Sequence, residues 1–408
     1  EFRRVLFRSY PYSEQIVVCD NGTGIVKAGY AGDNVPRIQF PSLIGRPMLR
    51  AEEDYVGDIT LRDLLVGDEC TESMRALNIT YPIENGVITR WDDMEELWKY
   101  TFEKKMGIKL DNRGRIEPDN MRIMLTEAPL NPKDNRKKMA EIMFEKFGFG
   151  GLQCKPQAML TLYSRGASTG VVVDSGDGVT HVMCVYDGFL LEHLTHRLNI
   201  AGRHVTRHLL HLLQQRGYAL NATADFEVVR EMKEKLCYVA YNYEKEIRLA
   251  NETTVLVTDF QLPDGRSVRL GSERFEATEA LFRPELVGME CGGLSEMVFD
   301  AIQKADVDLR AVFYKNILLS GGTSMFPGLS SRLEKDIRDE YCERVLRGGT
   351  NHIAKSINVI AQPNRKHAVF TGAAIFAKYI ANRPDQWISR AEWEEGGARV
   401  LDRIDRKS

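Results

Sequence analysis

The chain has 408 residues, a formal net charge of -3 at pH 7, 43% hydrophobic residues and 28% charged residues. This length exceeds what one hydrophobic core usually organises, so we expect two or more domains. The small net charge gives no reason to expect nucleic acid or an anionic membrane as the main partner, and no apolar run is long enough to span a bilayer.

Two further features limit the class of protein. The seven cysteines are scattered and form no Cys-x-x-Cys pair, which favours buried reduced thiols over disulfides or a zinc site. The first nine residues are rich in arginine and apolar side chains, but they are short for a transit peptide and lack a cleavage signature. We therefore expect residues 1–14 to be a disordered or non-native tail outside the fold.

The first predicted element is a β-hairpin with a glycine-rich tip. The apolar run Ile16–Cys19 leads into Asp20–Gly24, and strand-like residues follow. Two glycines in the tip allow the backbone to turn its N–H groups outward, which suits a phosphate oxygen. Lys27 stands seven residues after Asp20, where its ammonium group can reach a β- or γ-phosphate.

Helical and strand patterns alternate along the rest of the chain, which predicts an α/β fold. Apolar stripes at helical spacing predict five helices, whose stripes are interpreted as core packing: Trp91–Met106, Asn135–Phe147, Arg203–Arg216, Phe226–Tyr243 and Ser331–Val345. A turn signal at Leu262–Arg266, between Thr253–Phe260 and Ser267–Leu270, predicts a second hairpin.

The glycine-rich hairpin pattern occurs again at Asp174–Gly178, after another apolar run. Two copies suggest two related halves that face each other across a phosphate. Asp20 and Asp174 would then approach the same phosphates, an arrangement that calls for a divalent cation between them; the alternative is two unrelated Asx turns. His181, seven residues after Asp174, matches Lys27 and can orient water or a terminal phosphate, unless it is a partly buried structural histidine.

A third glycine signal follows the apolar run Ile317–Ser320. Gly321 and Gly322 permit close backbone approach to a ligand, and Thr323 or Ser324 is expected to cap a helix whose N–H groups face an anion. The sequence contains no G-x-x-x-x-G-K-[ST] motif, which excludes a P-loop, and no G-x-G-x-x-G motif after a strand, which leaves a dinucleotide site unsupported.

These hairpins resemble those of the actin, Hsp70 and sugar-kinase superfamily, and the chain is identified as a member of the actin family. The matching runs extend over about Ile16 to Ile404 and include Val26–Asp33, Leu125–Pro132, Asp174–His181 and Lys233–Val239. Other stretches resemble the actin-related proteins, in particular the branch found in the complex that nucleates branched filaments. These are Asp54–Ile59 with Leu64–Glu69, Glu252–Val257 with Leu262–Arg266, Glu343–Gly348 and Arg365–Phe370.

The resemblance implies an actin-like fold, in which two related α/β domains enclose a nucleotide cleft. The expected small domain comprises residues 15–166 and 367–408, with an outer subdomain at about 42–81. The expected large domain comprises residues 167–366, with an outer subdomain at about 201–288.

The resemblance also implies ATP as cofactor, with Mg²⁺ or alternatively Ca²⁺, and assigns roles to individual residues. The phosphate loops are Asp20, Gly22, Thr23, Gly24 and Lys27 in the first half and Asp174, Gly176, Asp177 and Gly178 in the second. The adenosine pocket comprises Gly202, Arg203, Lys233, Glu234, Gly321, Gly322, Thr323, Met325, Phe326 and Lys366. The catalytic set is Gln157, which positions the attacking water, with His181, Asp174 and Asp20, and the metal ligands, mainly through water, are Asp20, Gln157 and Asp174.

Two positions depart from the family pattern. His204 stands where the family usually has aspartate after Gly-Arg, which weakens any ribose or inter-subdomain role for this position. Asn85 replaces the histidine that actin modifies, so that modification is expected to be absent.

The function implied by the resemblance is nucleation of branched actin filaments by mimicry of a filament-end subunit, with slow regulatory ATP hydrolysis. The expected partners are actin, the other subunits of the branching complex and nucleation-promoting factors, without nucleic acid or membrane insertion. The expected location is the cytoplasmic cytoskeleton, at actin patches or the cell cortex. The acidic loop Met48–Asp54 is expected to disfavour polymerisation of the chain alone.

Two alternative functions stay open from the sequence. The chain could be a conventional actin or another actin-related protein. It could also be a small-molecule kinase of the same superfamily, but such an enzyme needs a catalytic base, and glutamine at position 157 cannot abstract a proton.

Overall fold

The computed structural model describes residues 16–47, 64–71, 74–117, 120–220, 223–262, 265–349 and 352–401. Several sequence predictions fall outside these ranges: the tail at residues 1–14, the acidic loop Met48–Asp54, the stretch Asp54–Ile59 and the turn residues Pro263 and Asp264.

The strands are short, and most of them belong to two mixed sheets. In chain order they are β1 (Ile16–Asn21), β2 (Ile25–Tyr30), β3 (Ile38–Pro41), β4 (Ile44–Pro47), β5 (Leu65–Val66), β6 (Leu77–Thr80), β7 (Ile83–Glu84), β8 (Val87–Ile88), β9 (Lys109–Leu110), β10 (Ile116–Glu117), β11 (Arg122–Glu127), β12 (Gly151–Pro156), β13 (Gly170–Ser175), β14 (Thr180–Tyr186), β15 (Phe189–Leu190), β16 (His196–Leu198), β17 (Thr258–Gln261), β18 (Ser267–Leu270), β19 (Ile317–Ser320), β20 (Val359–Ile360) and β21 (Ile388–Ser389).

The α-helices cover the sheets and build the outer parts of the molecule. They are α1 (Trp91–Lys99), α2 (Lys133–Glu141), α3 (Gln157–Tyr163), α4 (Gly202–Gln215), α5 (Thr223–Leu236), α6 (Tyr243–Glu252), α7 (Glu273–Glu279), α8 (Leu294–Lys304), α9 (Val307–Lys315), α10 (Leu329–Glu340), α11 (His352–Ser356), α12 (Ala368–Tyr379) and α13 (Arg390–Gly396). Helices α1, α2 and α10 each continue directly into a π-helical segment: Tyr100–Lys105, Ile142–Lys146 and Tyr341–Val345.

The two large sheets have the same central arrangement. The first has the order β21-β12-β11-β1-β2-β3, and the second has the order β15-β14-β13-β19-β20, with β16 also paired to β14. In each, a central strand pairs antiparallel with its hairpin partner and parallel with a later strand. This correspondence confirms the predicted α/β class, and it is what two related halves would produce. The domain boundaries themselves stay a prediction.

Each large sheet has its own hydrophobic core, because its strands carry apolar side chains that helices cover. The core of the first sheet includes Trp98 and Phe102 from the α1 region, and that of the second includes Phe313 and Tyr314 from α9; all four are fully buried. A separate apolar cluster lies between α12 and the first sheet. In the part of the chain that the structure describes, no helix is both long and apolar enough to cross a membrane.

Four of the five predicted helices are present, with shifted ends or a π-helical extension, but the prediction for Phe226–Tyr243 was wrong at its end. Helix α5 stops at Leu236, and α6 begins only at Tyr243. Between them the backbone N–H groups of Tyr238 and Val239 donate to the carbonyl groups of Arg274 and Pro327. Tertiary hydrogen bonds therefore replace the intrahelical ones that the apolar stripe had favoured.

The predicted hairpin after residue 253 is confirmed only in part. Strands β17 and β18 pair antiparallel, with Phe260 opposite Val268. Residues 253–257 are not a strand, since Thr253 is the C-cap that follows α6 and the N–H group of Val257 donates to the carbonyl of Thr254 in a turn.

Candidate functional site

The two glycine-rich hairpins have the same register, which places chemically equivalent positions side by side. Asp20 lies opposite Lys27 in the β1–β2 pair, and Asp174 lies opposite His181 in the β13–β14 pair. The ammonium Nζ of Lys27 is 3.1 Å from Oδ2 of Asp20. Each acid thus lies near the end of a central strand, opposite the residue that follows it by seven positions in the sequence.

The tips of the two hairpins pack directly against each other. A Cβ atom added at Gly24 would lie 2.7 Å from Cβ of Asp177, and one added at Gly178 would lie 2.6 Å from Cγ2 of Thr23. Contacts this short exclude any side chain, so the glycines are required here by the close approach of the two halves.

A cavity of about 430 Å³ lies between the two halves, beside these tips. Its lining includes every predicted site residue except His181: Asp20, Gly22, Thr23, Gly24, Lys27, Gln157, Asp174, Gly176, Asp177, Gly178, Gly202, Arg203, Lys233, Glu234, Gly321, Gly322, Thr323, Met325, Phe326 and Lys366. Segments far apart in the sequence therefore meet in one cleft.

The two acids of the hairpins are buried at the base of this cleft. Asp20 accepts a hydrogen bond of 2.6 Å from the hydroxyl of Thr126, in addition to its ion pair with Lys27. Burial raises the pKa of Asp174, and the neighbouring charge of Asp20 raises it further, although a hydrogen bond from Ser320 opposes both. Two carboxyl groups that repel each other in a buried site are suited to a cation between them.

The donor set fits a hydrated hard cation better than a dehydrated metal centre. Among the described residues, no group of three or more His, Cys, Asp or Glu side chains could hold a metal ion. Mg²⁺ keeps several of its waters and needs only one or two carboxylates beside phosphate oxygens. Asp20 and Asp174, with the amide of Gln157 in the same cleft, supply such a set.

The N-terminus of α4 is held against the second hairpin. The backbone N–H groups of Gly202 and Arg203 donate to the carbonyl oxygens of Gly176 and Asp177 at 3.1 and 2.8 Å. The guanidinium of Arg203 also donates to Oδ2 of Asp177 through two nitrogens, at 2.7 and 3.0 Å. The α4 backbone and side chain together fix the tip that faces the cleft.

The expectation that Thr323 or Ser324 caps a helix was wrong. Residues Thr323–Met325 form a short 3-10 turn without a side-chain cap, and α10 begins only at Leu329. The hydroxyl of Thr323 instead donates to the carbonyl of Gly176 at 2.6 Å, and that of Ser324 donates to Gly321. The third glycine segment is thereby attached to the second hairpin.

Gln157 lines the cleft, whereas His181 does not. Gln157 is the first residue of α3 and lines the cavity. His181 is 2% exposed, and burial lowers the pKa of its imidazole to about 4, so the ring is neutral at pH 7. It is not among the residues that line the cavity, and its assisting role stays a prediction.

His204, the departure from the family pattern, lies on α4 beside this region. Its Nδ1 accepts the backbone N–H of Ala201 at 3.4 Å, and burial lowers the pKa of its ring. The imidazole is not part of the cavity lining.

Sequence reasoning missed several residues of the cleft. The Tyr81 ring lies 3.8 Å below the guanidinium of Arg203, and the backbone N–H of Gly86 donates to the hydroxyl of Thr23 at 3.0 Å. Arg230 and His367 also line the cavity. A tyrosine before a proline carries no local signal of a binding site, so only the tertiary structure identifies Tyr81. His367 directly follows Lys366, which the resemblance had assigned to the site, and that neighbour was a signal for it.

The arrangement can bind a polyphosphate together with a cation. Glycine-rich tips provide backbone N–H groups, Lys27 provides positive charge, and the two buried acids can hold a hydrated metal ion. The apolar side chains of Met325 and Phe326 provide a surface for a base on the side of the second half.

Comparison with known proteins defines the class of protein that carries this cleft. A model of the actin family matches residues 12–407. The chain belongs to the actin family, as the resemblance in its hairpins predicted, and its two mixed sheets are those of the actin fold.

Within the family the chain is similar to actin-related protein 2. It is 53% identical to that protein of Schizosaccharomyces pombe over 95% of this chain and 97% of the relative. It is 53% identical to the protein of Caenorhabditis briggsae over 94% and 95% of the two chains. It is 52% identical to the protein of Drosophila melanogaster over 96% and 98%.

Proposed function

We infer that the chain is an ATP-binding, actin-related subunit of the actin-related protein 2/3 complex, in which it nucleates branched actin filaments. The observation that carries this proposal is the similarity to actin-related protein 2 from three eukaryotes over nearly the full length of each chain. The cleft between the two hairpins supports it, because it offers the groups that a nucleotide requires.

We assign the bound ligand as ATP with Mg²⁺, for which Ca²⁺ is an alternative. The tips Asp20–Gly24 and Asp174–Gly178 would hold the phosphates from both sides, and Lys27 would neutralise part of their charge. Asp20 and Asp174 would hold the cation mainly through its waters, with Gln157 as a third contact. Because both halves contact one ligand, its binding favours the closed cleft over an open one.

The structure of the cleft is consistent with slow hydrolysis. Gln157 can orient a water but cannot take its proton, and the buried His181 is neutral and does not line the cavity. Without a strong general base the chain's residues contribute positioning and charge stabilisation only. Slow turnover suits a regulatory signal more than a metabolic reaction.

The partners follow from this role. We propose actin, the other subunits of the complex and nucleation-promoting factors as partners, and the cytoplasmic cytoskeleton, at actin patches or the cell cortex, as the location. The small domain would comprise residues 15–166 and 367–408, and the large domain residues 167–366. The first and second large sheets lie in these respective parts of the chain.

The proposal is tested by binding and by nucleation. Mg-ATP at a hundredfold excess over Kd should raise the free energy of unfolding by about 2.7 kcal/mol, and EDTA should reverse most of this gain. The actin-related protein 2/3 complex should be assembled with this chain in the place of its actin-related protein 2 subunit. Such complexes should nucleate actin in a pyrene-actin assay and form branched filaments that are visible by microscopy. A thermal midpoint that responds to neither ATP nor EDTA would contradict the cleft assignment.

Two controls separate the alternative functions. The ATP-loaded chain alone should stay in the supernatant at concentrations at which actin sediments; filaments of this chain alone would favour a conventional actin. Glucose, glycerol or acetate should not raise ATP turnover, since stimulation by such an acceptor would favour a small-molecule kinase.

A further inference from the structure

A hydroxyl side chain lies beside each acid of the two glycine-rich hairpins, on the parallel strand next to it. In the first half, Thr126 of β11 donates its hydroxyl to the carboxylate of Asp20 on β1 at 2.6 Å. In the second half, Ser320 of β19 is the direct partner of Asp174 on β13 in the parallel pair, and its hydroxyl bonds that carboxyl group. The two halves therefore repeat a hydroxyl neighbour as well as the acid.

The carboxylate of Asp20 is held at both of its oxygens. Oδ1 accepts the hydroxyl of Thr126 at 2.6 Å, and Oδ2 lies 3.1 Å from the ammonium Nζ of Lys27. The bond to Thr126 is buried, since Asp20 and Thr126 are 2% and 3% exposed. A carboxylate accepts about four hydrogen bonds, so these two contacts leave acceptor capacity for the waters of a cation.

The two hydroxyl residues are separated from any ligand by the acids that they contact. Among the described residues, Asp20 and Asp174 line the cavity, but Thr126 and Ser320 do not, and both hydroxyl residues are buried. They can therefore act on a ligand only through the acids. Partners of this kind orient the groups that hold a metal ion, and their loss typically lowers metal affinity by about 10–100-fold.

A neutral donor is suited to this place. Two carboxylates that face one cation repel each other before the cation binds. Rotation of either group about its Cβ–Cγ bond would turn an oxygen away from the cleft. A hydroxyl on the neighbouring strand opposes that rotation, and it adds no positive charge that would compete with the cation.

We propose that Thr126 is a positioning residue of the nucleotide site, which fixes the Asp20 carboxylate in the orientation that holds the waters of the nucleotide-bound cation. Ser320 has the same role for Asp174. This inference rests on the proposed function, because it takes ATP with a divalent cation as the ligand of the cleft. The role is specific to the cation, so binding of ATP without a divalent ion should not depend on these hydroxyls.

Substitutions of Thr126 in the full chain test this role. Thr126→Val removes the hydroxyl and keeps the branched shape, whereas Thr126→Ser keeps the hydroxyl and removes the methyl group. Thr126→Ala also removes the hydroxyl, and it takes the place of the valine variant if that variant does not fold. Thr101→Val is the matched control, because Thr101 is a buried threonine of the same half whose hydroxyl donates to Leu97 and which does not line the cavity.

Two affinities are measured for each variant. The Kd of ATP is obtained by displacement of a fluorescent analogue, once with Mg²⁺ and once with EDTA, and the Kd of Ca²⁺ for the ATP-loaded chain is obtained with a fluorescent chelator. We expect Thr126→Val to weaken Ca²⁺ binding about tenfold and to reduce the gain in ATP affinity that Mg²⁺ provides by a similar factor. Its ATP affinity in EDTA should equal that of the wild type.

The remaining variants have defined expected results. Thr126→Ser and Thr101→Val should bind Ca²⁺ and ATP as the wild type does. Ser320→Ala should weaken Ca²⁺ binding as Thr126→Val does, and wild-type Ca²⁺ affinity of Ser320→Ala would overturn the role of Ser320.

Wild-type Ca²⁺ affinity of Thr126→Val would overturn the inference. An ATP affinity that falls equally with Mg²⁺ and with EDTA, or a Thr126→Ser chain as weak as Thr126→Val, would also overturn it, because either result indicates packing and not orientation of the carboxylate. If the wild type binds neither ATP nor a divalent ion, the proposed function fails. If the wild type binds both and Thr126→Val binds them equally well, only the role of Thr126 fails.

Discussion

The guanidinium of Arg203 lies 3.8 Å above the ring of Tyr81, and this contact joins the two sides of the cleft. Tyr81 follows β6 and belongs to the first half of the chain. Arg203 is the second residue of α4 and belongs to the second half. The same guanidinium is held by Asp177 of the second hairpin. A tyrosine from one half thus contacts an arginine that the second glycine-rich hairpin, in the other half, holds in place.

The first prediction concerns this contact. Tyr81→Leu and Arg203→Met should each speed ATP release by about threefold to tenfold, because a partly desolvated cation–π pair contributes on the order of 1 kcal/mol. The double variant should change the activation free energy of ATP release by less than the sum of the changes in the two single variants. Stopped-flow release of a fluorescent ATP analogue provides the measurement. Arg207→Met, an exposed position on α4, is the control; additive effects of the two changes would contradict direct coupling.

The second prediction concerns the contact between the hairpin tips. Gly24→Ala should weaken ATP binding and lower the thermal midpoint, because the added Cβ would lie 2.7 Å from Asp177 and push the halves apart. The destabilisation should be about 1–3 kcal/mol, as for overpacking elsewhere. Gly271→Ala is the matched control, since its nearest neighbour would be 3.7 Å away. Equal melting and ATP affinity for both variants would exclude a tight tip contact.

The third prediction separates nucleotide binding from hydrolysis. Gln157→Ala should retain ATP with an affinity near that of the wild type, but cleave it roughly a hundredfold more slowly, since a positioning group is removed. Single-turnover quench-flow with radiolabelled ATP measures the cleavage step directly. Gln157→Glu tests the same position with an acid of similar size. A Gln157→Ala chain that cleaves bound ATP at the wild-type rate would remove this residue from the catalytic set.

The fourth prediction concerns a carboxyl group far from the cleft. Burial, opposed by Arg344 and helped by the nearby acids Glu296 and Asp300, raises the pKa of Glu340, at the end of α10, to about 7. Because the pKa is higher in the folded state than in the unfolded one, the stability that this group contributes is greatest below pH about 4.5 and is lost as the pH rises through 7.

Replacement of this carboxyl group should remove that dependence on pH. The free energy of unfolding of Glu340→Gln should therefore rise relative to that of the wild type between pH 5.5 and 8. The increase should be on the order of 1–2 kcal/mol, because solvent partly screens the charge of this carboxyl group. Urea unfolding across this range is the measurement, and the exposed Glu343→Gln is the control. A difference between Glu340→Gln and wild type that does not change with pH would show that this carboxyl group does not titrate near 7.

The sequence determined the parts of the site that are encoded locally. An acid and two glycines after an apolar run fix a strand, a tight tip and a returning strand, since only glycine tolerates the close approach at these tips. The two copies of this pattern predicted that Asp20 and Asp174 approach each other, with two unrelated Asx turns as the alternative, and the register of Lys27 opposite Asp20 follows from the hairpin itself. Similarity in short runs then named 20 of the 35 described residues that line the cavity.

Only the tertiary structure decided which side chains complete the cleft. Tyr81 and Arg230 carry no binding motif of their own, and they reach the cavity because distant strands and helices bring them there. The end of α5 was likewise decided by hydrogen bonds from Tyr238 and Val239 to residues far along the chain. The physical reason is the same in both cases: these positions depend on contacts between segments distant in sequence, which local patterns do not contain.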